Sequence, residues 1–284
     1  MQKRAVAVQD VSCVGRCSLT IALPILSAAG VNTAVVPTAL LSTHTGEFTG
    51  YTHLDLTDQL GPISAHLQTL GLHYDAFYSG YLASGAQVDQ VLTMMDRLCD
   101  GGTRVFVDPA FADHGRLYSL IDPAMPAQMR RLSSRADTII PNLTEAAFLL
   151  GVPWPGERYD RALVAGLCRG LMALGVRNVV ITDVCFDRET TGVALFCQGM
   201  AEPQFLFRSR FEGVFHGTGD VLASFVLAGL LNDMSLAAAV RMALDLTHRA
   251  IEYTLAEGEP LRYGVQFEKT LPEMWERLKR DQEE

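Results

Sequence analysis

The chain has 284 residues, of which 49% are hydrophobic and 19% charged, and its net charge is −9. That balance excludes long disordered stretches, and an acidic chain lacks the electrostatic footprint of a nucleic-acid or anionic-membrane binder. Lysine occurs only as Lys3, Lys269 and Lys279, and the sequence contains no GxxxxGK[ST], which excludes a lysine-bearing phosphate loop and argues against a Schiff-base cofactor on a core lysine.

The six cysteines, Cys13, Cys17, Cys99, Cys168, Cys185 and Cys197, lack the second close pair that a zinc site needs. Free thiols in a cytoplasmic protein are the expectation. No apolar run reaches transmembrane length.

In chain order, residues 5–9 read as a buried strand ending at Asp10, and 18–29 as a helix. Arg16 between them reads as a solvated arginine. Residues 33–37 form the second predicted strand, with Thr38 after it and the polar loop Ser42-Thr-His-Thr-Gly46 beyond. His44 in that loop has three readings: it lies over a substrate ring, bonds a hydroxyl, or is a surface histidine. The loop itself is expected to close as a lid. The other histidines read as structural. Helix 56–70 leads to strand 77–79, with Gly80-Tyr81 at its exit. Helix 86–98 leads to strand 104–107, with Asp108-Pro109 next and Asp113 a short loop later. Two carboxylates near an anion suit Mg²⁺, which prefers oxygen ligands.

Helix 126–134 precedes strand 138–140, which opens into Pro141-Asn-Leu-Thr-Glu145 and helix 144–150. Asn142 and Glu145 have the spacing of a capping box; the alternative is a water-linked pair beside a magnesium–phosphate unit. Helix 161–174 precedes strand 179–182 and Asp183. Residues 191–197 and 204–207 read as an antiparallel hairpin or edge. Helices 219–231, 235–255 and 271–280 close the chain.

Strand then helix, repeated, predicts an α/β fold with a mostly parallel sheet, in one domain over residues 1–284. In such sheets ligands bind beyond the carboxyl ends of the strands, where Asp10, Thr38, Tyr81, Asp108, Asn142 and Asp183 fall. The most informative stretch is Phe215-His-Gly-Thr-Gly-Asp220, at the entrance of an apolar helix. Unpaired N–H groups and the helix dipole make such an entrance an anion site. Alone, the motif favours the reading as a capped helix after a Gly-rich turn, with Thr218 or Asp220 as the cap. Because a helix entrance stabilises the anion, Asp220 is expected to be a weak base.

Several segments carry a joint resemblance. They are Ala7-Val-Gln-Asp10, Val36-Pro-Thr-Ala-Leu-Leu-Ser-Thr-His-Thr-Gly46, Ser79-Gly-Tyr-Leu82 and Val107-Asp-Pro109 with Asp113. Pro141-Asn-Leu-Thr-Glu145, Val180-Ile-Thr182 and Gly217-Thr-Gly-Asp220 follow. In that order they resemble the pyridoxal kinase family of the ribokinase-like superfamily, over essentially the whole chain. The chain is most similar to a bacterial branch described as pyridoxamine kinases.

The resemblance implies a three-layer α/β/α ribokinase-like fold with an antiparallel edge. It implies an ATP-dependent kinase that phosphorylates the 5′-hydroxymethyl group of pyridoxal, pyridoxine or pyridoxamine, in salvage of pyridoxal phosphate. Asp220 matches the catalytic base, and Gly217, Thr218 and Gly219 the anion hole. Asn142 and Glu145 match the pair that organises Mg²⁺ and phosphates. Asp108, Asp113, Thr182 and Phe215 fall around ATP and its cations, with Asp113 and Glu145 nearest the metal. Asp10, Thr38, His44 and Tyr81 fall around the pyridine ring. Mg²⁺ with ATP is the implied cofactor, K⁺ a candidate monovalent cation, and a cytoplasmic homodimer the implied assembly. A hydroxymethylpyrimidine kinase and a catalytically weak B6-binding protein are the alternatives on this scaffold. The chain departs from the pattern at Ala112, where glycine is usual, and at Asp10, where many members have serine. Asp183-Val-Cys-Phe-Asp187 matches nothing in it.

Overall fold

The computed structural model describes residues 2–119 and 121–283, with side chains up to Arg280. Strand β1 (Arg4–Val14) leads through α1 (Leu19–Ala28) to β2 (Asn32–Thr43), β3 (His53–Asp55) and α2 (Thr57–Thr69). Then come β4 (Ala76–Ser79), α3 (Gly85–Leu98), β5 (Arg104–Val107) and a small hairpin, β6 (Ala112–Asp113) and β7 (Arg116–Leu117). They are followed by α4 (Met125–Ser133), β8 (Thr138–Ile139), α5 (Leu143–Leu150), α6 (Arg161–Met172) and β9 (Asn178–Val184). The chain finishes with β10 (Thr190–Cys197), β11 (Gln204–Ser209), α7 (Thr218–Leu231), α8 (Leu236–Glu257) and α9 (Leu271–Glu283).

One sheet has the order β11-β10-β9-β8-β5-β4-β1-β2-β3. Its interior pairs, from β2 across to β9, are parallel. The expected antiparallel edge is β10 with β11. The short antiparallel β3 on the opposite edge has no counterpart in the sequence reading.

Strand alternation sends neighbouring side chains to opposite faces. Ala5 and Tyr78 pack with Ile21, Phe225 and Val240 of α1, α7 and α8. Val6, Val8 and Phe77 pack with Leu60, Val88, Met129, Leu149 and Leu167 of α2 to α6. The architecture is therefore three-layered α/β/α. Both faces of the central strands are buried, which is why short all-apolar runs were readable as strands.

Strands β1 and β2 outrun the expected 5–9 and 33–37. They stay paired as far as Val14 and Thr43, past a register shift between Gln9 and Val11. Gln9 faces Pro37 and Val11 faces Leu40, so Asp10 is spanned by both Thr38 and Ala39. Asp10 and Thr38 thus sit in a bulge inside the strands, not beyond their ends. Bulges of this kind re-aim side chains beside functional sites. The mixed polar composition of 10–14 and 38–43 concealed the continuation, which cross-strand pairing supplies. Among the described residues, no helix is long and apolar enough to cross a membrane.

Candidate active site

Helix α7 is buried almost all round, from Val221 to Gly229, so core packing fixes where its entrance lies. Gly217 is the N-cap at φ 77, and no side chain caps the helix. The Thr218 hydroxyl instead donates to the Phe215 carbonyl at 3.1 Å. The first helical bond to close is Val221 N–H to the Gly217 carbonyl, 2.9 Å, which leaves the preceding N–H groups facing outward. A Cβ on Gly217 would overlap the Arg16 carbonyl, whereas one on Gly219 would meet no atom within 4 Å. The Phe215 ring packs beside Phe211, with centroids 6.4 Å apart, and against the core.

Asp220 lies in the first turn of α7 as a half-buried residue. Burial of its carboxyl pushes the pKa up to about 7; the Ser18 amide opposes this and the Asp10 charge adds to it. The expected weak base is therefore corrected. A rise from 3.8 to about 7 corresponds to about 4 kcal/mol, while a helix dipole contributes no more than about 2 kcal/mol. Desolvation wins.

On one side of Asp220 stand the residues at the exits of β5, β8 and β9. Asn142 caps α5 and forms the full capping box with Glu145. Glu145 does more than cap. One oxygen accepts the N–H groups of Phe111 (2.9 Å) and Ala112 (3.3 Å), the other that of Asn142 (2.9 Å). The Asn142 amide donates to the Ala112 carbonyl at 2.7 Å. The start of helix α5 thereby holds the 108–113 loop at Phe111 and Ala112. Burial raises Glu145 to about 7, with Asp113 adding repulsion. Asp108 is raised well above its ordinary value by burial, then by Glu145 and Asp220. Thr182 bridges to Asn142 across the sheet, and its N–H reaches the Pro141 carbonyl at 2.9 Å.

The departure at Ala112 is harmless to the loop. Ala112 is buried in β6, and the positive-φ corners are Ala110 (φ 38) and His114 (φ 47). Ala110→Gly is expected to raise stability by about 1 kcal/mol by removing strain. A lower Tm in thermal melts would show that Ala110 is unstrained.

The residues expected around the substrate lie on the other side of Asp220. Asp10 is buried, and desolvation raises its pKa against the hydroxyls of Ser18 and Ser12. The Tyr81 phenol faces Asp10 and Tyr51 and is pushed up to about 12, mainly by burial. Thr38 is buried with its hydroxyl unpaired. His44 has no free nitrogen. Its Nδ1 accepts the Gly46 N–H at 3.1 Å, so Nε2 carries the proton and donates to the Arg262 carbonyl at 2.6 Å. Burial, aided by His216, holds this imidazole neutral. The expected hydroxyl contact thus meets a ring whose nitrogens are occupied.

Arg16 departs from its reading as a solvated arginine, while His216, read as structural, holds the 44–48 loop. His216 meets Glu47 at 3.0 Å, and its ring lies tilted beside that of His44 with centroids 5.0 Å apart. Arg16 pairs with Glu268 at 2.8 Å and Glu259 at 3.2 Å. Phe48 packs between His44 and Tyr263. The 44–48 loop is therefore clamped onto the turn before α7 at His216 and onto the segment after α8 at Arg262 and Tyr263. A cavity of about 310 Å³ lined by Glu47, Val214, Pro260, Leu261 and Arg262 borders the clamp. Glu47→Gln removes a partly exposed pair that contributes at most about 1 kcal/mol, so protease cleavage in this loop is expected to rise about fivefold. Substrate with ATP should reverse the rise; cleavage unaltered by both the substitution and the ligands would reject the lid.

Three residues at the site were not found from the sequence. Ser18 faces both Asp10 and Asp220. Burial, and then the charges of Asp10 and Asp220, push the Cys17 thiol well above its ordinary range. The Tyr118 phenol faces Glu145, Asp113, Asp108 and Asp220. None belongs to a recognisable motif, and only the folding of distant segments places them. Among the described residues, no three His, Cys, Asp or Glu side chains converge to cage a metal ion.

Comparison with known proteins finds chains similar in sequence and in fold. A structure from Bacteroides thetaiotaomicron determined with pyridoxal superposes with a TM-score of 0.92 at 32% identity, covering 96% of each chain. Pyridoxal kinase from Lactobacillus plantarum superposes at 0.88 with 32% identity, over 96% of this chain and 97% of that one. The pyridoxine/pyridoxal/pyridoxamine kinase of Bordetella avium is 29% identical over 272 residues, 90% of this chain and 87% of that protein. Residues 23–263 match the family described as phosphomethylpyrimidine kinase. With a fold, a strand-exit site and a family match spanning most of its length, the chain belongs to the phosphomethylpyrimidine kinase family and, within the ribokinase-like fold, to its pyridoxal kinases.

Proposed function

We propose that the protein is an ATP-dependent kinase of vitamin B6, transferring the γ-phosphoryl group to the 5′-hydroxymethyl oxygen of pyridoxal, pyridoxine or pyridoxamine on a single domain. The observation that carries this reading is the position of Asp220. It stands at an uncapped helix entrance, in electrostatic contact with Asp10 on the ring side and Asp108 on the nucleotide side.

Phosphoryl transfer asks for positioning and charge neutralisation rather than covalent chemistry. The N–H groups of Gly217, Thr218 and Gly219 hold the transferred phosphate. Asp220 takes the hydroxymethyl proton, and a pKa of about 7 suits a general base near neutral pH. Asp10, Thr38 and Tyr81 orient the ring, while the flank of His44 and its clamped loop exclude water. Asp108, Thr182 and Phe215 line the nucleotide side, and Asn142 with Glu145 keeps the 108–113 loop in place.

The donor set fits Mg²⁺ as a partner of ATP rather than as a caged resident ion. Glu145 spends both oxygens on N–H groups, and Asp113 accepts the His114 N–H at 2.7 Å, so both suit contact through water. Mg²⁺ supplies neutralisation of the phosphate charge, and Mg²⁺ prefers to keep several waters. The proposal includes a monovalent cation such as K⁺ beside the phosphates. It also includes a cytoplasmic homodimer, supported by six free cysteines and by the exposed, cross-strand Leu40–Leu54 pair at the β3 edge.

A second reading, hydroxymethylpyrimidine phosphorylation, is favoured by the family description itself. Measuring ADP release from ATP with each B6 vitamer and with hydroxymethylpyrimidine, with and without Mg²⁺, separates the two. Turnover restricted to the pyrimidine would replace the first reading, and tight B6 binding without ADP release would reject both.

A further inference from the structure

The hairpin that carries Asp113 needs support from outside itself. Strands β6 and β7 form a sheet of their own, pairing Ala112 with Leu117 and Asp113 with Arg116. His114 and Gly115 make the turn at positive φ, 47 and 73, the backbone that a two-residue hairpin loop requires. A ribbon this short is unstable unless something packs on it. From α5, the Thr144 hydroxyl accepts the Gly115 N–H at 3.0 Å. The turn is also covered by the indole of Trp154: a Cβ on Gly115 would overlap that ring.

Trp154 belongs to the 152–159 connection between α5 and α6, where Pro153 and Pro155 flank it. Each proline fixes φ, which reduces the freedom lost when the segment orders. The same connection ends at Tyr159, on a different loop. The Tyr159 hydroxyl accepts the Cys185 N–H at 2.7 Å and donates to the Asp183 carbonyl at 3.4 Å. Its ring meets Phe186 edge-on at 5.8 Å, and the Arg161 guanidinium at the start of α6 lies 5.1 Å from the centre of that Phe186 ring. Asp183 stands at φ 57, a left-handed backbone costing about 1 kcal/mol, and Tyr159 grips this turn at two points. The 183–187 segment, which no motif explains, is thus the docking face for one tyrosine.

The two loops flank the nucleotide side. Asp113 lies in the hairpin, Thr182 leads straight into Asp183, and Asn142 touches both, bridging to Thr182 and donating to the Ala112 carbonyl at 2.7 Å. We propose that 152–159 is a strap across the nucleotide side, in which Trp154 and Tyr159 are positioning residues that hold the Asp113 hairpin and the Asp183 turn at the spacing ATP requires. The strap sets nucleotide affinity and leaves the vitamer side of Asp220 alone. This rests on the reading of these loops as the nucleotide side.

Tyr159→Phe removes one hydroxyl and should raise the ADP Kd and the ATP KM about fivefold, the scale of one neutral hydrogen bond. Trp154→Ala uncovers the hairpin and should raise both about tenfold, and Trp154→Phe should restore most of that loss because an aromatic cover remains. In each variant the vitamer KM should stay within about twofold and kcat within about threefold of wild type. Because one strap joins both contacts, the Tyr159→Phe/Trp154→Ala double variant should resemble Trp154→Ala alone, not the roughly fiftyfold product of independent sites. A merely structural connection would lower Tm and leave the nucleotide constants unchanged.

The measurement is calorimetry of ADP with Mg²⁺ on these four variants, with steady-state kinetics and thermal melts in parallel. Wild-type nucleotide constants in Tyr159→Phe and Trp154→Ala, an equal rise in vitamer KM, or a double variant at the full product overturns the proposal. Should Trp154→Ala fail to fold, Tyr159→Phe decides: ADP binding weakened fivefold or so upholds the strap, and wild-type binding rejects it. If the wild type binds ADP but phosphorylates no B6 vitamer, the kinase reading fails while the calorimetry still reads the strap. A wild type that binds no ADP sinks both.

Discussion

Asp220→Asn is expected to lose about a thousandfold in kcat, the scale of a lost general base, with ATP KM changed little, while melting at a higher temperature than wild type at pH 8. The two halves share one cause. The Asp220 carboxyl has a pKa of about 7 against an ordinary 3.8, so the folded state favours its protonated form. The resulting stabilisation is complete below about pH 4 and is lost as pH rises through 7. At pH 8 the unliganded protein therefore holds a disfavoured anion, costing up to about 4 kcal/mol. Asparagine has no charge to desolvate. The Tm gain is expected to be about 5 °C at pH 8 and to vanish near pH 4. Glu145, Asp10 and Asp108 are raised for the same reason, so wild-type Tm without ligands should fall as pH rises from 5 to 8. Kinetics and melts across this range check both halves. Normal turnover by the variant would remove Asp220 from the chemistry, and a Tm at pH 8 no higher than wild type would refute its desolvation.

The second large effect separates two glycines that look equivalent in the motif. Gly217→Ala is expected to cost about 2 kcal/mol or more in stability, because it combines positive φ with a collision. Gly217 has φ 77, and its Cβ would overlap the Arg16 backbone. Gly219 has helical backbone and open space where its Cβ would go. Gly219→Val should therefore fold with an unchanged Tm and lose about tenfold or more in kcat/KM for ATP, as its side chain fills the approach to the N–H groups. Thermal melts and steady-state kinetics read the contrast. A destabilised Gly219→Val would show the space to be structural. A stable, fully active one would place the anion elsewhere.

The sequence treated these two glycines alike because flexibility and close approach both call for glycine. Only the fold says which glycine has a backbone behind it. Asp220 shows the same limit: its helix entrance was legible, and that feature alone argues for a low pKa. The opposite value follows from burial and from Asp10, which arrives from β1. His44 was legible as a loop residue, yet the Arg262 carbonyl that occupies its Nε2 lies 218 positions away. The Asn142–Glu145 spacing correctly anticipated a capping box, since both partners are local, but not the reach of Glu145 to Phe111 and Ala112.

By itself the sequence determined the alternation of strand and helix, the parallel interior, the antiparallel edge at β10 and β11, and the polar residues near the strand exits. These follow from hydropathy period and local chemistry, which act over a few residues. The tertiary structure alone decided the β1–β2 extension and its bulge, the clamp on the 44–48 loop and the raised carboxylates. Register, burial and charge proximity are set by segments far apart in the chain, and no local window contains them.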